Sequence, residues 1–213
     1  MLIQDIMQTN LVTVTPRTTL PEAVRLARER GIRHLPVVDG ERLVGIVSDR
    51  DLKRAMASPA TSLSAQELTY LLDRLSLAEI MTRAVITIAP MFPVEDAARI
   101  MVKEKISALP VTEAGRLVGI VTETDVLELF VRAMGAGEPS SRLGVAVGED
   151  RSALAEIVQA VEGAGAPISS IMTLRDARGV REVIVRVATM NPAPAIEALA
   201  ARGYALRTPV RAT

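Results

Sequence analysis

Ser48 and Asp51 stand three residues apart, and Thr122 and Asp125 repeat that spacing. A strand that delivers a hydroxyl to the first turn of a helix places it beside backbone N–H groups with no partner, which suits a phosphate. A carboxylate one turn further in can accept two hydrogen bonds from a ribose diol. The same spacing is also a capping box, in which the acid returns to the helix end and no ligand is needed. The two roles are compatible, because a ligand can borrow a capped helix end.

Other chemistry is poorly supplied. Asp49, Asp51, Glu123 and Asp125 are an acidic set of the kind that holds Mg²⁺ for phosphoryl transfer. Neighbouring acids on a helix point in different directions, however, and the chain has no Walker-type glycine loop and no nucleophile beside a base. His34 is the only histidine and cysteine is absent, so thiolate sites and disulfides are excluded and a metal site is not expected. The residues point to binding rather than catalysis.

The elements that must position these residues come from a duplication. "LPVVDGERLVGIVSDRD" runs from Leu35 to Asp51 and "LPVTEAGRLVGIVTETD" from Leu109 to Asp125. The same step carries Ile6-Met7 onto Ile80-Met81, Thr13 onto Thr87 and Pro16 onto Pro90. In the first copy Val12–Val14 reads as a short strand closed by Thr15-Pro16, and Thr19 with Glu22 resembles a capping box opening an amphipathic helix that Gly31 ends. "HLPVVD" and "RLVGIVS" read as strands joined by the turn Asp39-Gly40-Glu41, with a second helix from Asp49. A copy of this size is too small to be comfortable alone, so the two are expected to pack sheet against sheet about a pseudo-twofold axis. The segment between them becomes helical, with Leu68, Leu71, Leu72 and Leu75 as its apolar stripe.

The chain has 213 residues, 49% hydrophobic but only 2% aromatic, enough for a sizeable aliphatic core. Lys+Arg 25 against Asp+Glu 25 leaves no net charge, which removes the electrostatic footprint of a nucleic-acid binder, and the scarcity of aromatics removes base-stacking platforms. Neither a secretory leader nor a membrane-spanning apolar run is evident, so a soluble cytoplasmic protein is expected, with no membrane partner.

Both copies resemble cystathionine-β-synthase (CBS) domains, on the apolar-Pro-Val strand, the Gly-Ile-Val strand end and the Ser/Thr-x-x-Asp helix head. The resemblance covers Met1 to about Met134 and implies a Bateman module that binds an adenosine-containing ligand in the clefts between the copies. It implies phosphate-side hydroxyls at Ser48 and Thr122 and ribose-side carboxylates at Asp51 and Asp125. The ligand set expected around them is Thr13, Arg33, His34, Leu35 and Pro36 from the first copy, with Thr87, Leu109 and Pro110 from the second. Val12, Leu35 and Ile46, and their counterparts Ile86, Leu109 and Ile120, are candidate adenine walls, although most of that set must also be core. Arg33, His34 and Arg50 face Ser107, Ala108 and Thr124 in the alignment of the copies, so positive charge able to meet phosphates is concentrated in copy one, unless these are solvated surface residues.

The remaining segment reads as strand "RLGVAVG", a helix opened by Asp150 or Ser152, strand "ISSIMTL", a turn at Asp176 to Gly179, strand "VREVIVRVA", a helix capped by Asn191-Pro192, and a short strand from Tyr204 to Arg207. The order βαββαβ is ferredoxin-like. It resembles an ACT domain, and the whole chain is similar to the AcuB-like acetoin-utilisation proteins. An amino-acid site is implied by the ACT resemblance, but Ala153 stands where a glycine is expected and Pro167 where an asparagine is common.

The expected architecture is therefore α/β (α+β): CBS repeat 1 at 1–58, a helical connector at 59–76, CBS repeat 2 at 77–135, a linker at 136–141 and an ACT-like domain at 142–213. The expected function is a regulatory sensor, a homodimer with an unidentified protein target and no required cofactor, whose regulator is AMP, ADP, ATP or another adenosyl ligand such as S-adenosylmethionine or NADH. The alternatives are an interaction module with no small-molecule ligand, and amino-acid sensing through the ACT-like domain.

Overall fold

The computed structural model describes residues 1–56, 70, 72–150, 152–175 and 179–211. Leu68 and Leu71 of the expected connector stripe, and Asp176 of the expected turn, lie outside the described residues. The chain divides into two compact units, Met1–Val126 and Leu127–Thr213.

In the first unit, β1 (His34–Asp39) and β2 (Arg42–Ser48) form an antiparallel hairpin that pairs His34 with Ser48 and Asp39 with Arg42. β3 (Ala108–Glu113) and β4 (Arg116–Thr122) repeat it, down to the same register shift, between Val37 and Val38 in one and Val111 and Thr112 in the other. Two separate stacked sheets were the expectation; instead the hairpins join into one four-stranded sheet in the order β1-β2-β4-β3. The join is narrow. β2 pairs with β4 only at Arg42 and Arg116, where the turn ends come close enough for the Leu117 N–H to reach the Glu41 carbonyl at 3.2 Å.

Val12–Val14 is not a strand. Val14 makes a single parallel bridge to Val37, its N–H donating to the Pro36 carbonyl and its carbonyl accepting the Val38 N–H. Pro36 offers no N–H and Pro16 closes the segment, so the ladder cannot extend. The second copy does the same at Ile88 and Val111.

Helix α1 (Leu20–Arg30) opens with the Thr19 N–H donating to Glu22 Oε2 at 2.9 Å and ends at Gly31 in the left-handed region. α2 (Asp49–Ala55) follows β2 directly. Then come α3 (Leu77–Ile80), α4 (Val94–Glu104) and α5 (Glu123–Ala133). Where α1 ends at glycine, α4 ends at Lys105, a non-glycine residue with φ 56°.

The leading segment of each copy packs on the other copy. Ile3 and Gln4 donate their N–H groups to Phe92 and Pro90, each at 2.9 Å, and Gln8 exchanges two backbone hydrogen bonds with Ile120. In the counterpart, Leu77 and Ala78 donate to Thr18 and Pro16, and Thr82 exchanges two with Ile46. Leu77 and Met81 accordingly lie in one buried cluster with Leu20, Leu35, Val37, Val47 and Leu52 of the first copy, and Leu72 and Leu75 pack against it.

The second unit runs β5 (Ser141–Ala146), α6 (Ala153–Gly163), β6 (Ile168–Arg175), β7 (Arg181–Val187), α7 (Ala193–Ala201) and β8 (Leu206–Arg211). Its sheet is antiparallel in the order β6-β7-β5-β8, so the first and third strands of the unit are central, as in a ferredoxin-like βαββαβ unit. Leu143, Val145, Val183 and Val185 meet Ile157, Val161 and Leu199 of the helices to form the core. The last strand begins two residues later than expected and runs on to Arg211. Ala153 is fully buried in this core, whereas Pro167 is exposed.

Candidate functional site

The two Ser/Thr-x-x-Asp motifs fold as capping boxes. Asp51 Oδ2 accepts the Ser48 N–H at 2.9 Å and the Ser48 hydroxyl at 2.6 Å, while the Asp51 N–H donates to Ser48 Oγ at 3.3 Å. Asp125 Oδ2 accepts the Thr122 N–H and hydroxyl, both at 2.7 Å, and the Asp125 N–H donates to Thr122 Oγ1 at 3.4 Å. Each strand end thus delivers its hydroxyl to a helix start, and one oxygen of each carboxylate is spent on holding that junction. The other oxygens differ. Asp125 Oδ1 accepts the Gln8 side-chain amide at 3.1 Å, and among the described residues no hydrogen bond reaches Asp51 Oδ1.

A cleft of about 430 Å³ brings the two copies together. Gln8, Val12, Arg33, His34 and Pro36 come to it from the first copy and Ile120, Thr122, Thr124 and Asp125 from the second. The Arg33 guanidinium reaches the motif of the opposite copy, donating to Thr124 Oγ1 at 3.0 Å, while its carbonyl accepts the Asp49 N–H of its own copy at 2.8 Å. Arg50 does not line this cleft.

His34 Nε2 lies 2.8 Å from Ser107 Oγ, a hydrogen bond whose direction depends on the tautomer. Burial, aided by the Arg33 charge, holds the imidazole below its ordinary pKa, so it is neutral near pH 7. Leu35 and Leu109 are 1% and 0% exposed and serve as core. Pro36 and Pro110 are buried, and Thr13 and Thr87 are exposed outside the described cleft. Ile86 is exposed, and Ile46 is partly buried. Gln8 is the residue that reading by motif missed; its one signal was its place two residues after Ile6 in a segment that the duplication marked.

Among the described residues no group of three or more His, Asp or Glu side chains is arranged to hold a metal ion. No described helix is long and apolar enough to cross a membrane.

The repeats match the CBS domain family model at residues 3–58 and 77–132. The chain belongs to the CBS-domain family. A CBS domain-containing protein of Dictyostelium discoideum is 34% identical over 142 residues, which take in 66% of this chain and 98% of that protein. The inosine-5′-monophosphate dehydrogenase of Korarchaeum cryptofilum is 39% identical over 139 residues, but these are 64% of this chain and only 26% of the enzyme. Among solved structures, a CBS pair in complex with 5′-methylthioadenosine and S-adenosyl-L-methionine is 33% identical, covers 61% of this chain and 95% of its own, and superposes with TM-score 0.51. CBSX2 in complex with AMP is 33% identical, over 61% and 96% of the two chains, with TM-score 0.52. A Vibrio cholerae protein assigned to acetoin utilization (AcuB) is 33% identical, over 64% and 95%, with TM-score 0.54. In this chain the CBS pair is followed by the βαββαβ unit, which the family match does not include.

Proposed function

We propose that this CBS pair is a regulatory sensor of adenosine-containing ligands, not a catalyst, and that it binds them between its repeats. The observation that carries the reading is the shared cleft, in which a guanidinium and an imidazole from one repeat face the hydroxyls and carboxylate of the other. Its volume of about 430 Å³ falls in the range of about 300–1,000 Å³ usual for small-molecule sites. Thr122 and the capped first turn of α5, which a phosphate would share, are the candidate phosphate side, Arg33 adds a charge-assisted donor, and Asp125 is the candidate sugar acceptor. Ser48 and Asp51 are the corresponding pair for a second ligand. That related CBS pairs are solved with AMP, and with S-adenosyl-L-methionine and 5′-methylthioadenosine, supports adenosine as the common chemistry.

A ligand that touches both repeats stabilises one relative arrangement of them, and shifts it only by its difference in affinity between arrangements. The ACT-like unit would transmit that shift or assemble the protein. Exposed Leu127, Phe130 and Val131 on α5 support self-association as a homodimer. The similarity to AcuB supports a place in acetoin utilisation, with a protein target downstream.

The test is calorimetry with AMP, ADP, ATP, S-adenosylmethionine and NADH on wild-type protein, Asp51→Asn and Asp125→Asn, each with ribose and 2′-deoxyribose forms of the nucleotide. Binding that falls in the asparagine variants, by non-additive amounts with loss of the 2′-hydroxyl, places the carboxylate at the sugar. If the variants change only the melting temperature, the repeated motif is a helix cap and the protein is an interaction module.

A further inference from the structure

The two carboxylates are not equally available. An ionised carboxylate offers about four acceptor positions, two on each oxygen. At both sites the capping box uses the positions on Oδ2, through the N–H and hydroxyl of Ser48 or of Thr122. A vicinal diol needs two acceptor positions, so it must take both of those on Oδ1. At Asp51 the described residues leave Oδ1 without a hydrogen bond, whereas at Asp125 the Gln8 amide already donates to it at 3.1 Å.

The difference traces to one position in the duplication. Gln8 and Thr82 are counterparts, each exchanging two backbone hydrogen bonds with the strand of the opposite repeat, Ile120 or Ile46. The backbone therefore delivers both side chains to the same place, but only the longer glutamine reaches the carboxylate. Gln8 is exposed, which leaves its side chain room to swing away without loss of its backbone pairing.

We propose that Gln8 competes with the sugar for Asp125, so that the two carboxylates read ribose differently. This rests on the reading of the clefts as adenosine sites. The Asp51 site takes the whole diol, whereas the Asp125 site takes one hydroxyl until Gln8 leaves. Gln8 is thus a specificity-determining residue of the cleft that contains Arg33, lowering its affinity for ribose ligands and its discrimination against 2′-deoxyribose. Occupation of that cleft by a ribonucleotide also frees the side chain of the crossing segment, which gives binding a direct handle on the inter-repeat contact.

The experiment is calorimetry with AMP and 2′-deoxy-AMP on full-length protein carrying Asp51→Asn, so that the Asp125 cleft is read alone, with and without Gln8→Ala. Removal of the competing amide is expected to tighten AMP by about 3- to 10-fold, the size of one hydrogen bond, and to tighten 2′-deoxy-AMP less. Thr82→Ala in the same background leaves both affinities where they were. AMP binding that Gln8→Ala weakens or leaves unchanged overturns the proposal while the nucleotide reading stands, since the glutamine would then position Asp125 or be inert. Equal gains for the two nucleotides overturn it as well. Absence of AMP binding to wild-type protein and to every variant overturns the nucleotide reading and this proposal with it.

Discussion

A Cβ atom built on Gly45 would stand 2.6 Å from the sulfur of Met81, and one on Gly119 would stand 2.6 Å from the sulfur of Met7. Each methionine belongs to the leading segment of one repeat and each glycine to the strand of the other. The glycine of "VGIV" is therefore a matter of contact with the crossing segment, not of turn geometry. Gly45→Ala and Gly119→Ala should each cost about 1–3 kcal/mol by overpacking, read as a lower urea midpoint at unchanged m-value. A cost near zero at both would mean that the methionines move aside freely.

Lys105 holds the left-handed position that Gly31 fills in the other copy. An L-residue pays about 1–2 kcal/mol there, against a smaller entropic cost for glycine. Lys105→Gly is expected to raise stability by about 0.5–1 kcal/mol, and Gly31→Ala to lower it by about 1 kcal/mol. Thermal unfolding of the two variants beside wild type checks both signs.

His34 predicts a pH dependence. Burial, then the Arg33 charge, depress its folded pKa below the ordinary value of 6.5. In the window between the two values the unfolded chain binds more protons, so stability is complete above about pH 6.5 and is lost as pH falls toward the folded pKa. His34→Asn should flatten that part of the profile. Urea midpoints between about pH 5 and 7.5 that show the same slope in both proteins would assign the acid sensitivity to other groups.

Arg33 donates to Thr124 across the cleft. If it meets phosphates there, Arg33→Ala weakens ATP by more than it weakens adenosine, because only the phosphates lose a charge-assisted partner. Ser107→Ala, the change at the counterpart position, should matter less to either. Equal losses for ATP and adenosine in calorimetry would make the arginine a fold-supporting residue.

The parts that were legible in the sequence are those set by local chemistry. The hairpins, the capped start of α1, the glycine stop at Gly31 and the Asn191 cap, whose Oδ1 accepts the Ala193 N–H at 3.3 Å, all follow from residues within a few positions of one another. Ser48 with Asp51 and Thr122 with Asp125 are local for the same reason. What escaped depends on which copy a segment meets. The Arg33 guanidinium reaches Thr124 of the other repeat, 91 positions along the chain, a contact that no local spacing announces. Leu35 and Leu109 were candidate base contacts, but apolar type alone cannot separate a ligand wall from the core that they occupy. Val12–Val14 has strand composition, but its partner Pro36 has no N–H to carry the ladder past one bridge.

The exchange of leading segments also sets an order of events during synthesis. Residues 1–8 emerge before the repeat on which they lie, so they must wait until Pro90, Phe92 and Ile120 have been made. The first repeat, in turn, lacks Leu77 and Met81 of its core until the chain has passed the connector. The first repeat can therefore close only once residues 77–82 have been made, and residues 1–8 dock later still, so the two repeats should fold as a coupled pair rather than one domain at a time.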